Sequence, residues 1–259
     1  MSVPGRLGAT AHYDDGELVL ELTPQDATLQ HGVVRASVLS FVVDAAAGIV
    51  LDQDPDAWTL TTDLSLRIRP VPAPEVIRSS SRVLREGGRS SSCLVELVSG
   101  DGSPVGAGVA GFARVQRRPG DPPKPPMTPE RAPELLGRGE LLGRPLREEA
   151  GIEVVDPLEG VVQVSVTPEL RNPAGTLQGA MVALLAEAAA EDLVATRFES
   201  PVVVVDLDVR YLAQAQVGPV RTRSRLLGDG PDAPVQVELV DNAADRVTTL
   251  VYARAVPVP

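Results

Sequence analysis

Residues 172–193 read NPAGTLQGAMVALLAEAAAEDL, and this stretch decides the fold prediction. A polar loop that contains glycine, residues 172–179, runs into a segment made almost wholly of Ala, Leu, Val and Met. A helix of that composition is apolar on nearly every side, so we expect it to be buried. One carboxylate, Glu187, lies within the apolar part. Such a charge either reaches water at the rim of the buried stripe or serves a function.

The composition limits the class of protein. With 259 residues, of which 43% are hydrophobic, the chain suits one large domain or two ordinary ones with proper cores. The net charge of -11 disfavours nucleic acid and anionic membranes as partners, because both require a basic face. A CoA-type ligand stays compatible, since a few well-placed Arg side chains can bind phosphate. We find no signal-peptide core and no run near the ~18 apolar residues of a membrane span, so we expect a cytoplasmic protein.

The cysteine and histidine content narrows the chemistry. Cys93 is the only cysteine, which excludes a disulfide within the chain and a paired-thiolate metal site. It lies among the apolar residues of a predicted strand and is interpreted as a packed, inert thiol. The two histidines, His12 and His31, fall outside the apolar helices, which disfavours a His-ligated metal. We therefore expect neither a metal nor another cofactor.

The first half of the chain also has an apolar helix with an acid inside it. Residues 36–51, ASVLSFVVDAAAGIVL, predict a helix that carries Asp44. Strands are predicted at residues 17–22, 58–68, 75–85, 90–98 and 104–115. One helix followed by consecutive strands is typical of an α+β fold with an antiparallel sheet, because parallel winding needs a helix between successive strands.

A proline-rich segment separates two copies of this pattern. The sequence PGDPPKPPMTPERAP begins at Pro119 and contains seven prolines, which predict an extended linker over residues 119–145 with a short helix at 134–142. We predict an N-terminal unit at residues 1–118 and a C-terminal unit at 146–259. Residues recur between them at an offset of 143, which indicates tandem copies of one fold. The recurring pairs include Asp63 and Asp206, Arg67 and Arg210, Arg82 and Arg225, and Asp44 and Glu187.

The loop before the second helix carries a motif. Asn172, Gly175, Gln178 and Gly179 are followed by an acid nine residues after Gln178. This spacing resembles Asn-x-x-Gly-x-x-His-Gly-Gly with a later Asp or Glu, the motif of hotdog-fold thioesterases of the phenylacetate-pathway and hydroxybenzoyl-CoA type. Gln178 replaces the His of that motif and Ala180 its second Gly. The resemblance implies a double hotdog in which each repeat has a long central helix wrapped by an antiparallel sheet, and hydrolysis of acyl-CoA thioesters between the halves.

The length of the helix decides how such a site must be composed. Glu187 follows Gly179 by eight residues, which is about 12 Å along a helix axis. One carbonyl carbon cannot contact both, so the helix N-terminus of one half must act with the carboxylate of the other. We predict a site made of Asn172, Gly179 and Asp44. The alternative site pairs Glu187 with a first-half loop that lacks the side-chain amide.

The predicted mechanism is hydrolysis of an acyl thioester. Gly179 N–H and the helix dipole stabilise the oxyanion, and Asn172 positions the thioester or the water. Asp44 is a general base or a nucleophile, and both routes stay open. We expect Asp44 to be ionised in a hydrogen-bonded site open to water. The resemblance also implies a role for Thr61, two residues before an acid on the next strand, with Thr62 as a competitor on the opposite strand face.

Other substrate contacts are assigned by position. Gln178, Ala180 and Thr62 are expected beside the acyl thioester, and Arg82 and Arg225 at the CoA phosphates, with a solvated charged face as the alternative reading of the arginines. Aromatic residues make up 3% of the chain, which suggests an aliphatic pocket and favours a fatty acyl group.

Two other classes of function compete with the hydrolase. One is a non-catalytic hotdog protein that binds acyl groups. The other is a structural pseudodimer, which predicts no apolar tunnel between the helices. His-dependent dehydratases are disfavoured by the positions of the two histidines. The acyl group, the choice of CoA or acyl-carrier protein, and homo-oligomers beyond the intramolecular pseudodimer stay open.

Overall fold

The fold consists of a large antiparallel sheet with two main helices. The computed structural model describes residues 2–15, 17–120, 124, 129–136 and 139–258. The α-helices found there are α1 at Ala36–Leu51, α2 at Ala132–Leu135, α3 at Leu146–Glu149 and α4 at Gly179–Phe198. α1 has 16 residues and α4 has 20, whereas the other two are single turns of four residues each.

Twelve strands within the described residues form one sheet, and each is antiparallel to its neighbours. They are β1 Ala9–Asp14, β2 Glu17–Leu22, β5 Ala57–Ile68, β6 Ile77–Glu86, β7 Ser90–Ser99, β8 Pro104–Gln116, β9 Glu153–Asp156, β10 Val161–Val164, β11 Val202–Tyr211, β12 Val220–Leu226, β13 Val235–Asp241 and β14 Arg246–Pro257. The two-residue strands β3 Leu29–Gln30 and β4 Val33–Val34 pair separately. The order across the sheet is β1-β2-β6-β7-β8-β5-β11-β14-β13-β12-β10-β9. This order is symmetric about the boundary between β5 and β11.

The pairing of β5 with β11, here called the seam, places equivalent residues of the two sequence repeats next to each other. Asp206 lies opposite Arg67, and Arg210 lies opposite Asp63 in the antiparallel register. Arg67 Nη2 donates to Asp208 Oδ2 at 2.7 Å. Ion pairs this exposed contribute little, typically ~0–1 kcal/mol. The strand ladder therefore carries most of the stability of the seam, and the charge pattern favours its register.

The two main helices cover the same face of the sheet. α1 packs on β2 and β5 to β8, α4 packs on β10 to β14, and the helices contact each other. Twelve residues of α1 and fourteen of α4 are buried, which agrees with the apolar composition of both segments. None of the helices in the described ranges is long and apolar enough to cross a bilayer.

Most of the predicted elements of the first half are confirmed. α1 occupies the predicted residues, and β2 and β5 to β8 agree with the predicted strands to within two residues at each end. β1 was not predicted. The helix predicted at 134–142 is wrong, because helix α2 ends at Leu135 and residues 139–142 are not helical; residues 137 and 138 lie outside the described ranges. The glycines beyond Leu136 disfavour a longer helix.

The described part of the proline-rich segment contacts the core. Lys124 Nζ donates to Asp52 Oδ1 at 2.7 Å and to the Ala57 carbonyl at 2.7 Å, at the C-terminal end of α1. Ala132 and Leu142 are buried. Half of the prolines of residues 119–145 lie outside the described residues, so the prediction of an extended linker and the domain bounds at 118 and 146 stay predictions.

Close packing of α1 on β8 gives a stability prediction. A Cβ added to Gly108 would lie 2.9 Å from Val43 Cγ1 on α1 and 3.1 Å from the Ser65 carbonyl on β5. Gly108→Ala should therefore lower the free energy of unfolding by about 1–3 kcal/mol through overpacking. The matched control is Gly88→Ala, since a Cβ there meets no atom within 4 Å. Urea unfolding followed by circular dichroism measures both, and an equal effect of the two substitutions would contradict this account.

Candidate active site

The carboxylate of Asp44 on α1 lies beside the N-terminus of α4. A Cβ placed on Gly179 would be 3.7 Å from Asp44 Oδ2. Gly179 is the first helical residue, and its N–H donates to no acceptor among the described residues. The next amide, that of Ala180, donates to Gln178 Oε1 at 2.6 Å. One unpaired donor and the positive end of the helix dipole thus face the same space as Asp44.

Thr61 on β5 holds the other side of the Asp44 carboxylate. Its Oγ1 donates to Asp44 Oδ1 at 2.7 Å. The pairing of β5 with β8 shifts between Thr61 and Asp63, so Thr62 is an extra, bulged residue. The bulge interrupts strand alternation, and both threonines line the cavity, so the opposite faces predicted for them stay a prediction. Thr62 instead donates to Asp63 Oδ2 at 2.9 Å and does not contact Asp44.

The Asn172 loop is a hydrogen-bonded turn, and one polar group in it, the side-chain amide nitrogen of Asn172, has no partner among the described residues. Asn172 Oδ1 accepts the Thr176 N–H at 3.1 Å, and the Asn172 N–H donates to the Thr176 carbonyl at 2.8 Å. Gly175, at φ 81°, adopts the left-handed conformation that this turn requires. Asn172 Nδ2 has no partner in the described part of the chain, and the residue lines the cavity. The side chain is thus fixed at its oxygen and keeps two donors for a ligand.

Tyr211 is a site residue that sequence reasoning missed. It ends β11, and its hydroxyl donates to the Gly179 carbonyl at 3.2 Å. Burial, and next the Asp44 carboxylate, raise the pKa of Tyr211 far above its usual value, so it stays a donor. Tyr211 on the C=O and Gln178 on the N–H hold the peptide between Gly179 and Ala180 from both ends. Its place directly after the repeated Arg210 was the only signal in the sequence.

The surroundings of Asp44 affect its pKa in two opposite ways. Burial raises the pKa of Asp44 above its ordinary value, and the hydrogen bond from Thr61 lowers it only in part. The carboxylate is hydrogen-bonded and half-buried, and it lines the cavity, so the expectation of a site open to water stays a prediction. A base with a raised pKa takes up a proton more readily than an exposed Asp does.

A cavity of about 590 Å³ opens in front of these groups and is lined by both main helices. A cavity lined by both helices disfavours the structural pseudodimer, which predicts no apolar tunnel between them. Its apolar lining is mostly aliphatic, but four of the seven aromatic residues of the chain also line it, which the prediction did not foresee. They are Phe41, Trp58, Phe112 and Tyr211. An average over the chain could not show that scarce aromatic residues gather in one place.

Glu187 occupies the position related to Asp44 but has a different environment. Its Oε1 accepts the Ala36 N–H at 2.7 Å, and the Ser37 hydroxyl donates to its Oε2. Glu187 is 1% exposed, so it does not reach water at the rim of the helix. It caps the N-terminus of α1 and does not line the cavity. The alternative site is therefore filled by the side chains of the protein itself.

A buried charge cluster continues from this cap. Arg35 Nη1 donates to Glu191 Oε2 at 3.0 Å and lies 3.9 Å from Glu187 Oε2. Arg147 binds Asp192 through two hydrogen bonds, at 2.9 and 2.6 Å, and lies 4.0 Å from Glu191. Two arginines thus face three carboxylates, and Glu191 Oε1 has no partner among the described residues. Burial, opposed by Arg35 and reinforced by Glu187, raises the pKa of Glu191 to about 8, so one proton balances the cluster.

The remaining predicted contacts are not brought to the cavity. Arg82 and Arg225 are exposed on β6 and β12, and Arg225 donates to Gln236 Oε1 at 2.7 Å. The positions of these two arginines agree with the alternative prediction, in which they belong to a charged face of the sheet in contact with solvent. Ala180 is buried and does not line the cavity either. Arg171, at the start of the Asn172 loop, is the cation among the described lining residues. Within the described ranges, no group of three or more His, Cys, Asp and Glu side chains is placed to hold a metal ion.

The comparisons with known proteins define the fold. No protein-family model and no curated protein matches the sequence. Among solved structures, the tesB protein of Mycobacterium avium subspecies paratuberculosis aligns with a TM-score of 0.66 and 13% identity, over 99% of this chain and 98% of that chain. An acyl-ACP thioesterase from Bacteroides thetaiotaomicron VPI-5482 gives 0.60 and 11%, over 92% and 97%. A conserved protein of unknown function with hot dog fold from Alicyclobacillus acidocaldarius gives 0.61 and 11%, over 99% and 98%.

The chain therefore has the hotdog fold of these solved structures, and the predicted resemblance is confirmed at the level of fold. The alignments extend over nearly the whole length of both partners, so they include both halves of the twelve-stranded sheet.

The charge cluster predicts how the free energy of unfolding depends on pH. Because the folded pKa of Glu191 lies above the ordinary value of 4.5, the folded state holds a proton that the unfolded chain releases. The stability that this proton provides is present below the unfolded pKa and is lost as pH rises through the folded pKa. Between pH 5 and 8 the free energy of unfolding should fall in the wild type relative to Glu191→Gln, at up to about 1.4 kcal/mol per pH unit.

Urea unfolding of both proteins at each pH checks this prediction. Other titrating groups are common to the two proteins and cancel in the difference. A difference that stays constant from pH 5 to 8 would show that Glu191 is ionised throughout in the folded protein.

Proposed function

We propose that the protein hydrolyses acyl thioesters at one composite site, formed by Asp44 and the N-terminus of α4. The chain is then a tandem double hotdog, in which each half contributes one long helix and its antiparallel strands. One observation carries the proposal: Asp44 Oδ2 lies 3.7 Å from a Cβ placed on Gly179, both residues line the cavity, and the Gly179 N–H has no acceptor among the described residues. The related Glu187, in contrast, caps α1. The fold shared with solved thioesterases supports the same reaction class.

The chemistry follows from the two facing groups. Asp44 accepts a proton from water, and the resulting hydroxide attacks the thioester carbonyl carbon. The carbonyl oxygen becomes an oxyanion, which the Gly179 N–H and the dipole of α4 stabilise. The C–S bond then breaks, and the leaving thiolate takes the proton from Asp44. In the second route the Asp44 carboxylate attacks the carbonyl carbon, the C–S bond breaks, and an acyl anhydride and a thiolate form. Water then opens the anhydride, which returns the Asp44 carboxylate, releases the acyl group as an acid and supplies the proton that the thiolate takes up.

Four neighbouring side chains position the reacting groups. Thr61 fixes the Asp44 carboxylate through its hydrogen bond. Tyr211 and Gln178 hold the first peptide of α4, so that the preceding N–H keeps its direction. Asn172 offers its Nδ2 to the thioester or the water. Preorganised donors of this kind stabilise charge without a reorganisation cost during the reaction.

The CoA or acyl-carrier part of the substrate binds at the loop from Arg171 to Thr176. Arg171 and Pro173 are exposed there, so this side of the cavity opens to solvent. A carrier approaching from it meets a guanidinium and the Asn172 amide. We take acyl-CoA as the test substrate, and an acyl-carrier protein presents the same kind of thioester.

A binding protein without turnover is the second candidate. Gln178 stands at the position of a His in the motif that the loop resembles, and it donates no proton in the site. Asp44 with a raised pKa is also a suitable buried partner for a neutral ligand. The two candidates differ in whether thiol is released.

The first functional prediction concerns the two related carboxylates. Asp44→Asn should lower kcat/KM for acyl-CoA hydrolysis by at least about 100-fold, because the proton acceptor or nucleophile is lost. Glu187→Gln should change kcat/KM by no more than a few-fold while lowering stability, since it weakens the cap of α1. Thiol release from acyl-CoAs of graded length and from phenylacetyl-CoA is the measurement.

Three outcomes separate the possibilities. Loss of turnover in Glu187→Gln alone, with the variant still folded, would assign the reaction to the other half of the chain. No turnover on any substrate by the wild type, with acyl-CoA still bound, would support the binding protein. Turnover that survives both substitutions would contradict the composite site.

The second functional prediction uses the Thr61 hydrogen bond. This bond lowers the pKa of Asp44 against the effect of burial, so Thr61→Val should raise that pKa further. Activity needs the carboxylate, so the acidic limb of the pH profile of kcat/KM should move to higher pH.

Two variants control this experiment. Thr61→Ser keeps the hydroxyl and should keep the wild-type profile. Thr62→Val should also leave it in place, because Thr62 bonds Asp63 and not Asp44. An unshifted profile in Thr61→Val, or a shift produced by Thr62→Val, would refute the role of Thr61.

A further inference from the structure

The two halves of the chain differ in what occupies the space beside their helix carboxylates. At the offset of 143 that relates the halves, Asp44 on α1 corresponds to Glu187 on α4, and Gly48 corresponds to Glu191. The first residues of the two helices are related by the same offset. The helices can therefore be compared residue by residue.

In the second half, buried side chains fill this space. Glu191 is 2% exposed, accepts a hydrogen bond from Arg35 at 3.0 Å and lies 4.0 Å from Arg147. Pro4 corresponds to Arg147 at the same offset; it has no charged side chain, and it lines the cavity. Charged groups thus close the surroundings of Glu187, and their counterparts in the first half are an imino acid and a glycine.

In the first half the corresponding position is open. Gly48 follows Asp44 by one helical turn, so both lie on the same face of α1, with Cβ positions about 5–6 Å apart. Both residues line the cavity. Apart from the backbone of α1, a Cβ added to Gly48 would meet only Phe112 Cε1 among the described residues, at an ordinary contact distance of 3.9 Å. The position that carries Glu191 in the other half therefore adds open space beside Asp44.

Neither the backbone nor the packing requires glycine at position 48. The residue is helical and is not among those with a positive φ. An alanine side chain would fit without a clash. Glycine is less favourable than alanine inside a helix, because it loses more backbone freedom on folding. A ligand that occupies the space of the missing side chain explains the glycine.

We propose that Gly48 determines the specificity of the site, because its missing side chain leaves room for the acyl group next to the reacting carbonyl. The inference rests on the proposed function, which places that carbonyl between Asp44 and Gly179. An acetyl group would leave the space beside Gly48 unfilled and would make few contacts there. The substrates are therefore thioesters of larger acyl groups, and the size of residue 48 limits the acyl group that fits.

The test measures binding separately from turnover. Non-hydrolysable thioether analogues of acetyl-, butyryl-, octanoyl- and dodecanoyl-CoA are titrated into the wild type, Gly48→Ala and Gly48→Leu. The wild type should bind octanoyl and dodecanoyl more tightly than acetyl. Gly48→Leu should weaken these two by at least about 10-fold and acetyl by no more than about 3-fold, because the new side chain occupies the space of the longer groups.

Two further variants make the result interpretable. Gly48→Ala adds one methyl group without a clash, so it should fold and should weaken the longest analogue about 4-fold relative to acetyl, the effect of about one buried methylene. This smaller shift tests the inference even if Gly48→Leu is unstable. Gly88→Leu is the matched control, since a Cβ at this exposed glycine meets no described atom within 4 Å. It should leave the whole series unchanged.

Three results would overturn the inference. In the wild type, acetyl could bind as tightly as octanoyl. In the folded Gly48 variants, the preference among acyl groups could stay as in the wild type, or all analogues could be weakened equally, as a general disturbance of the fold would do.

Thiol release from the matching thioesters is measured in parallel. A preference that depends on residue 48 in binding, with no release, would reject the hydrolase and leave the role of Gly48 in place. Release whose dependence on the acyl group is the same in the wild type and in Gly48→Leu would reject the role of Gly48 and leave the hydrolase in place.

Discussion

The antiparallel pairing of β5 with β11 is the constraint on which the rest of the structure depends. It sets Asp63 and Arg67 of one half opposite Arg210 and Asp206 of the other, and so fixes the register between two related sets of strands. The main helices follow from that register, because each packs on the strands of its own half and on the other helix. Each helix N-terminus then lies beside the carboxylate of the other helix. Neither half could build this arrangement alone, since within one helix the two groups are about 12 Å apart.

The same arrangement has two different outcomes, and one methylene group separates them. The longer Glu187 side chain reaches the Ala36 N–H and the Ser37 hydroxyl, and these bonds satisfy it. Asp44 is shorter; among the residues that the structure describes, it bonds only to Thr61, and the Gly179 N–H has no acceptor. One carboxylate therefore stabilises a helix, whereas the other keeps an acceptor and a nearby donor available for a ligand. In our account, this difference explains why only one of the two related positions opens to a cavity.

Features that depend on residues close together in the sequence could be predicted. Features that depend on contacts between residues far apart in the sequence could not. The helix at Ala36–Leu51 and the strands after it follow from local periodicity, and the need to combine Asp44 with Gly179 follows from helix length alone. The bulge at Thr62 is a property of the pairing with β8, and alternation along one strand could not reveal it. Tyr211 reaches Gly179 only through tertiary packing. The capping role of Glu187 likewise depends on a contact between residues about 150 positions apart in the chain.

The central claim is that the proposed double hotdog has one functional site per chain. Calorimetric titration of the intact protein with a non-hydrolysable acyl-CoA thioether tests this claim most directly, because it counts sites without requiring turnover. The account predicts one bound molecule per chain. Two molecules per chain with similar affinity would contradict it, since the position of Glu187 would then also accept a ligand.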